Sequence, residues 1–151
     1  MKPTTKDYLY VTVQFLLFLA YLLEVSLPDL HHLVILRTVG SALSIAGVLV
    51  LLLALLQLNR NLSPFPTPKS NAELIRTGLY KYIRHPIYTG ILLTVFGYAL
   101  HEASLYKLLI ASCLLLLFYL KSSYEEKRLL EVYPEYEEYR ATTGRFFIKL
   151  F

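Results

Sequence analysis

The chain has a single cysteine, Cys113, and it lies inside an apolar run. An intrachain disulfide, a cysteine-based zinc cluster and a CxxC redox motif are thereby excluded, and the thiol reads as a small hydrophobe at lipid depth. Charge is scarce too. Only 17% of the 151 residues are Asp, Glu, Lys or Arg, against 56% hydrophobic, and the mean hydropathy is +0.49. Apolar residues in long unbroken runs rule out an ordinary soluble fold and read as membrane spans in a single domain. The N-terminal apolar run is too long for a signal-peptide core and no A-x-A cleavage pattern follows it, so it is expected to stay as the first span. A net charge of +4 without any nucleic-acid-binding module fits basic residues that flank spans and face anionic lipid. His31 and His32 share a short polar connection with no further ligands nearby, so no metal site is expected.

The apolar runs predict an all-α, polytopic membrane protein with about four transmembrane helices. Span one covers about Tyr8 to Leu27 and stops at Pro28-Asp29, with Glu24 solvated in its last turn. Span two covers about Thr38 to Leu58, with Gly40, Ser44 and Gly47 at i, i+4 and i+7 on one face. A polar segment follows. Pro64, Pro66 and Pro68 preclude a regular helix there and favour a stiff surface connector. Pro86 to Leu100 and the run ending at Leu120, joined at His101 to Ser104, form a tight helical hairpin of spans three and four. Each arm is about 17 residues, roughly 26 Å, just enough to cross the hydrocarbon; a re-entrant pair is the alternative. Gly90, Thr94 and Gly97 give span three its own small-residue face, and these faces would serve a dimer as well as an intramolecular bundle. The tail from Lys121 to Phe151 continues span four and then forms a cytosolic, interfacial helix with Tyr133, Tyr136 and Tyr139 near the headgroups.

Thirteen basic residues lie before span one, between residues 59 and 86, or from Lys121 onward; only Arg37 and Lys107 remain for the other side. The positive-inside rule then puts both termini in the cytoplasm. It also brings two chemically loaded stretches, Arg84 to Gly90 and Glu125-Glu126, to the same face. Pro86 at the first helical position leaves the N–H groups and the positive dipole end of span three facing that interface. Arg84 adds bidentate cation geometry, His85 and Tyr88 add hydrogen-bonding groups, and Gly90 permits close approach. This set suits a carboxylate, whereas the glutamates suit an ammonium or a ribose diol. Read from physics alone, the first stretch serves equally as a positive-inside anchor, and the second reads as a solvated face with i, i+3 pairs.

The run from Gly78 to Gly90, the preceding Pro-Phe-Pro-Thr-Pro loop, and Glu125-Glu126 followed by Tyr-Pro-Glu-Tyr and Thr143-Gly144-Arg145 together resemble the isoprenylcysteine carboxyl methyltransferase and phospholipid methyltransferase superfamily, in its prokaryotic members. The likeness spans about residues 60 to 147. It implies an S-adenosylmethionine-dependent methyltransferase, with residues 1–58 as two N-terminal spans and 59–151 as the catalytic half. It further implies a cofactor held by His85, Tyr88, Gly90, Glu125 and Glu126. Arg84 or Arg145 would orient an acceptor carboxylate, and His85 or Glu125 would take the proton of an amine acceptor. The expected partners are membrane lipid and a lipophilic or prenylated substrate. The sequence departs from the family where Lys121 to Tyr124 replaces an arginine before the acidic pair, and where Phe146-Phe147 replaces a proline. Carboxyl O-methylation of an isoprenylcysteine-like acceptor is the leading expectation. N-methylation of an ethanolamine headgroup, NADPH-dependent sterol reduction and a non-enzymatic scaffold are the alternatives.

Overall fold

The computed structural model describes residues 2–25, 34–58, 63–68 and 73–149. Among these residues there is no strand, and the helices are α1 (Thr5–Tyr21), α2 (Val34–Leu58), α3 (Pro86–His101), α4 (Leu105–Val132) and the short α5 (Tyr136–Thr142), with a 3-10 turn at Gly78–Lys81. The expected stop at Pro28-Asp29, the His31-His32 connection, Asn59 to Asn61 and Lys69 lie outside the described residues.

Four long helices appear where four apolar runs were expected, with shifted ends. α1 finishes at Tyr21 rather than near Leu27, so Glu24 lies beyond the helix. Its end is closed by the Ala20 carbonyl, which accepts from the Leu23 N–H at 3.0 Å and the Tyr106 hydroxyl at 2.9 Å, so an otherwise orphaned acceptor is satisfied. α4 runs on through the acidic pair to Val132, where Pro134 forbids continuation. α2 and α4 are long and apolar enough to cross a membrane, and α3 is a shorter apolar helix of 16 residues. Large apolar side chains point outward along these helices, with Val34 77% and Leu56 75% exposed. A soluble monomer does not sustain so much exposed apolar surface, but lipid accommodates it.

The helices run alternately up and down. α4 lies between α1 and α3, and α2 packs along the far side of α3. The hairpin turn Glu102 to Ser104 is tight, with Ala103 in the left-handed region at φ 50°. The most intimate pairing, however, is α2 with α3, not α3 with α4. The two small-residue faces meet each other. A Cβ on Gly97 would lie 2.5 Å from the Ser44 nitrogen, one on Gly47 2.5 Å from the Thr94 nitrogen, and one on Gly90 2.6 Å from the Leu51 nitrogen. In lipid, where apolar burial drives little helix association, such close backbone contact supplies dispersion that larger residues would forbid. The Ser44 hydroxyl donates to the Thr94 carbonyl at 3.1 Å across the seam.

The alternation brings the start of α1, the end of α2, the start of α3 and the second half of α4 to one end. There Thr4 meets Tyr124, Gln57 accepts from the Leu79 N–H, and His85 meets Glu126. Residues 143–146 return to this end and pair in parallel with 82–85. The Arg84 N–H donates to the Gly144 carbonyl at 2.8 Å and the His85 N–H to the Arg145 carbonyl at 3.1 Å.

Gly97→Val should push α2 off α3 and cost about 1–3 kcal/mol, whereas Leu56→Ala, on the exposed face, should leave stability within about 0.5 kcal/mol. Thermal melts of the two variants in detergent micelles check this.

Candidate functional site

At the crowded end the helices enclose a cleft of about 330 Å³. Its roof is Ser63 to Pro68. Its walls include Gln14 of α1, Arg84, His85 and Tyr88 at the start of α3, Lys121 and Glu125 of α4, and Tyr80, Tyr133, Tyr136 and Tyr139.

The α3 start is built as its sequence suggests. Pro86 takes the first helical position, where a missing N–H costs nothing. The His85 ring is buried and lies between two carboxylates, with Nε2 3.1 Å from Glu126 Oε1 and Nδ1 3.8 Å from Glu125 Oε2. Tyr88 donates its hydroxyl to Glu125 Oε2 at 2.8 Å and stacks on Phe118 with centroids 4.7 Å apart. His85, Tyr88 and Glu125 are thus brought together on the cleft wall.

The neighbouring glutamate has a different position. Glu126 is 2% exposed and lies outside the cleft wall. It pairs with Arg84 Nε at 2.9 Å, Arg145 Nη2 at 3.4 Å and Arg140 Nε at 3.5 Å, besides His85. Consecutive helical residues point about 100° apart, so one glutamate faces the cleft and the other faces the tail. Arg84 reaches the wall, but its guanidinium is committed: Nε to Glu126 and Nη1 to the Arg140 and Thr143 carbonyls. Arg145 is spent on Glu126, on Ser123 Oγ at 2.7 Å and on the Tyr119 carbonyl, and its guanidinium sits 4.7 Å from the Tyr119 ring centroid. Gly90 faces Leu51 of α2 instead of the cleft. Of the expected ligand contacts, Arg84 thus stands on the cleft wall while paired with Glu126, whereas Arg145, Gly90 and Glu126 lie off the wall in ion pairing and helix packing.

Several wall residues went unsingled by motif reading. Lys121 is 2% exposed, with Nζ donating to Gln14 Oε1 at 2.7 Å and to the Pro64 carbonyl at 3.0 Å, and it lies 5.6 Å from the Tyr88 ring centroid. The available signal was its register, one helical turn before Glu125, and for Gln14 its polarity inside an apolar run. The proline segment lies against the cleft instead of running free over the surface: Pro66 is fully buried and Thr67 only 3% exposed, while Pro64 stays exposed to the outside. Tyr136 and Tyr139 are likewise buried, at 1% and 6%, and not at the headgroups, because α5 folds back beneath the 3-10 turn. The Tyr139 hydroxyl donates to the Tyr80 carbonyl at 2.5 Å. Burial pushes the Tyr139 phenol up to about 12 and raises Tyr80 and Tyr136 as well, so all three stay neutral at pH 7. Among the described residues, the Tyr136 hydroxyl is buried with no hydrogen-bond partner. Such an orphan on a cleft wall leaves a hydroxyl open to a water or to a ligand's polar group.

A helical membrane fold with a cleft at one end of its helices is the class that this geometry defines. A solved structure of the eukaryotic intramembrane Ras methyltransferase ICMT, an isoprenylcysteine carboxyl methyltransferase, shares the fold with a TM-score of 0.68 over 97% of this chain at 18% identity. This chain spans 54% of that protein's length. No curated protein sequence matches it. The phospholipid methyltransferase family profile matches residues 35–136, and the chain belongs to that family.

Tyr136→Phe removes an unpaired hydroxyl and should leave the ligand-free protein as stable or more stable. Tyr139→Phe orphans the Tyr80 carbonyl and should cost about 1–2 kcal/mol. Paired unfolding curves of the two variants test the contrast.

Proposed function

We propose that the cleft binds S-adenosylmethionine and that the protein transfers its methyl group to a lipophilic acceptor, with carboxyl O-methylation as the leading chemistry. The observation that carries this reading is the placement of Lys121 and Glu125, an opposite-charge pair one turn apart, on the same cleft wall. An α-amino acid group presents a carboxylate and an ammonium side by side, and this pair complements both. The carboxylate role anticipated for Arg84 thereby passes to Lys121, which keeps one ammonium N–H beyond its two acceptors. The tyrosine wall, with a neutral unpaired hydroxyl on Tyr136, suits a planar base and its ribose. The tyrosine-rich lining is suited to a sulfonium through cation–π attraction.

The bound cofactor supplies an electrophilic methyl. The chain's own task is alignment and exclusion of water. A carboxylate acceptor is already ionised at pH 7 and needs no general base. Buried Lys121, Pro66 and Thr67 limit the access of water to one side of the wall. An amine acceptor would have to lose a proton, and Glu125, whose Oε2 accepts from the Tyr88 hydroxyl, is a carboxylate on the wall that could take it. Family membership favours this second reading, a phospholipid headgroup amine. In either case both termini and the cleft face the cytosol, following the thirteen-to-two distribution of basic residues. The acceptor tail enters from the lipid.

Incubating purified protein in membranes with methyl-labelled S-adenosylmethionine and then with mild base distinguishes the two acceptors. Base-labile label is expected for an ester, and stable label would indicate an N-methyl product. Calorimetry with S-adenosylhomocysteine should show Glu125→Gln and Lys121→Met each weakening binding by about tenfold, near 1.4 kcal/mol. A wild-type protein that does not bind the probe would overturn the proposal.

A further inference from the structure

We infer that Asp7, in the first turn of α1, is a positioning residue that acts through Thr67 to hold the Ser63–Pro68 segment as the roof of the cleft. The inference rests on the reading of that cleft as a cofactor site and extends it to a part of the chain that lies outside both sequence blocks.

Asp7 is 0% exposed. A buried carboxylate is costly unless its oxygens are well satisfied. Here Oδ2 accepts from the Thr4 N–H at 2.7 Å, the Thr4 hydroxyl at 2.6 Å and the Thr67 hydroxyl at 2.9 Å, while Oδ1 accepts from the Thr67 N–H at 2.8 Å. Capping α1 requires only the Thr4 contacts, and a capping acid is ordinarily solvated. Half of this carboxylate's bonds instead go to a residue sixty positions away.

The roof needs such an anchor because of its own sequence. Pro64, Pro66 and Pro68 carry no N–H, so Ser63, Phe65 and Thr67 hold the segment's backbone donors. The Phe65 N–H is used locally by Ser63 Oγ at 3.1 Å, and the Thr67 N–H is the one bound to Asp7. All six residues line the cleft. Tyr8, the next residue of α1, meets the Phe65 ring edge-on with centroids 5.1 Å apart. At the opposite end of the segment, Lys121 holds the Pro64 carbonyl. The Thr4 hydroxyl also lies 2.9 Å from Tyr124 Oη, which couples the same latch to the residue preceding Glu125.

The experiment is a double-mutant cycle on the full chain in detergent, read by S-adenosylhomocysteine affinity and by hydrogen exchange of the ligand-free protein. Asp7→Asn replaces an acceptor oxygen with an amide donor, and Thr67→Val removes the hydroxyl. Each should weaken probe binding by about fivefold or more, and the double variant should be no weaker than Asp7→Asn alone, because both break one contact. Thr67→Ser, which keeps the hydroxyl, should bind like the wild type. Exchange at the Phe65 and Thr67 amides should speed up by about tenfold in Asp7→Asn while the centre of α3 stays protected. Multiplicative losses in the double variant or unaltered exchange at Thr67 in Asp7→Asn would overturn the inference, and unchanged affinity in Thr67→Val would do so even if Asp7→Asn does not fold. A wild type that does not bind the probe would sink the cofactor reading itself, leaving the exchange comparison to judge the latch.

Discussion

The buried carboxylate of Glu126 is the contact on which the site end of the molecule depends. An unpaired charge at 2% exposure would be strongly destabilising, so the carboxylate obliges other elements to converge on it. Arg84 and His85 come from the loop before α3, Arg140 from α5 and Arg145 from the returning tail. Each brings its backbone along. The Arg84 and His85 N–H groups pair with the Gly144 and Arg145 carbonyls, and the Thr89 hydroxyl donates to the Phe146 carbonyl at 2.8 Å. The carboxylate therefore positions the start of α3, which carries Tyr88, without standing on the cleft wall itself.

The seam between α2 and α3 imposes the second constraint. Glycines on both helices bring the backbones together, and this fixes α3 against α2 along its length. α3 is held on one side by α2 and on the other by α4, while α1 packs chiefly on α4 and reaches α3 at its end, where the Tyr21 hydroxyl donates to the Val95 carbonyl at 2.6 Å. The cleft forms where these helices are closed at one end by the proline roof, the 3-10 turn and α5. α1 contributes Gln14 to the wall and Asp7 to the support of the roof, so it is more than a membrane anchor.

Much of this was legible in the residues. Apolar runs announce the four helices, because a spanning helix must be apolar along its length. Pro86 marks the start of α3 for a local steric reason. The small-residue faces announce close packing, although periodicity names a face and not its partner, and only the assembled helices show that the two faces meet each other. His85, Tyr88 and Glu125 were legible because their chemistry is concentrated in short stretches. Arg84, Arg145 and Glu126 carried the same signals, yet their charges are spent on one another. Residue type does not tell a paired charge from one that faces a ligand.

What the sequence by itself determined is the membrane-spanning helical class, the approximate positions of the helices, the shared face of the two chemical blocks and membership of a methyltransferase-like group. The first three follow from local composition and from charge distribution, which act residue by residue; the last follows from the resemblance of the two motif blocks. Tertiary structure alone decided which glutamate faces the cleft, that Lys121 stands beside it, that Pro66 and Thr67 are buried with Thr67 bonded to Asp7, and that Tyr136 leaves a hydroxyl unpaired. Those outcomes depend on helix rotation and on hydrogen bonds between residues sixty or more positions apart, such as Asp7 with Thr67 and Lys121 with Gln14. No local pattern encodes such pairings, because each partner is satisfied only once the others are in place.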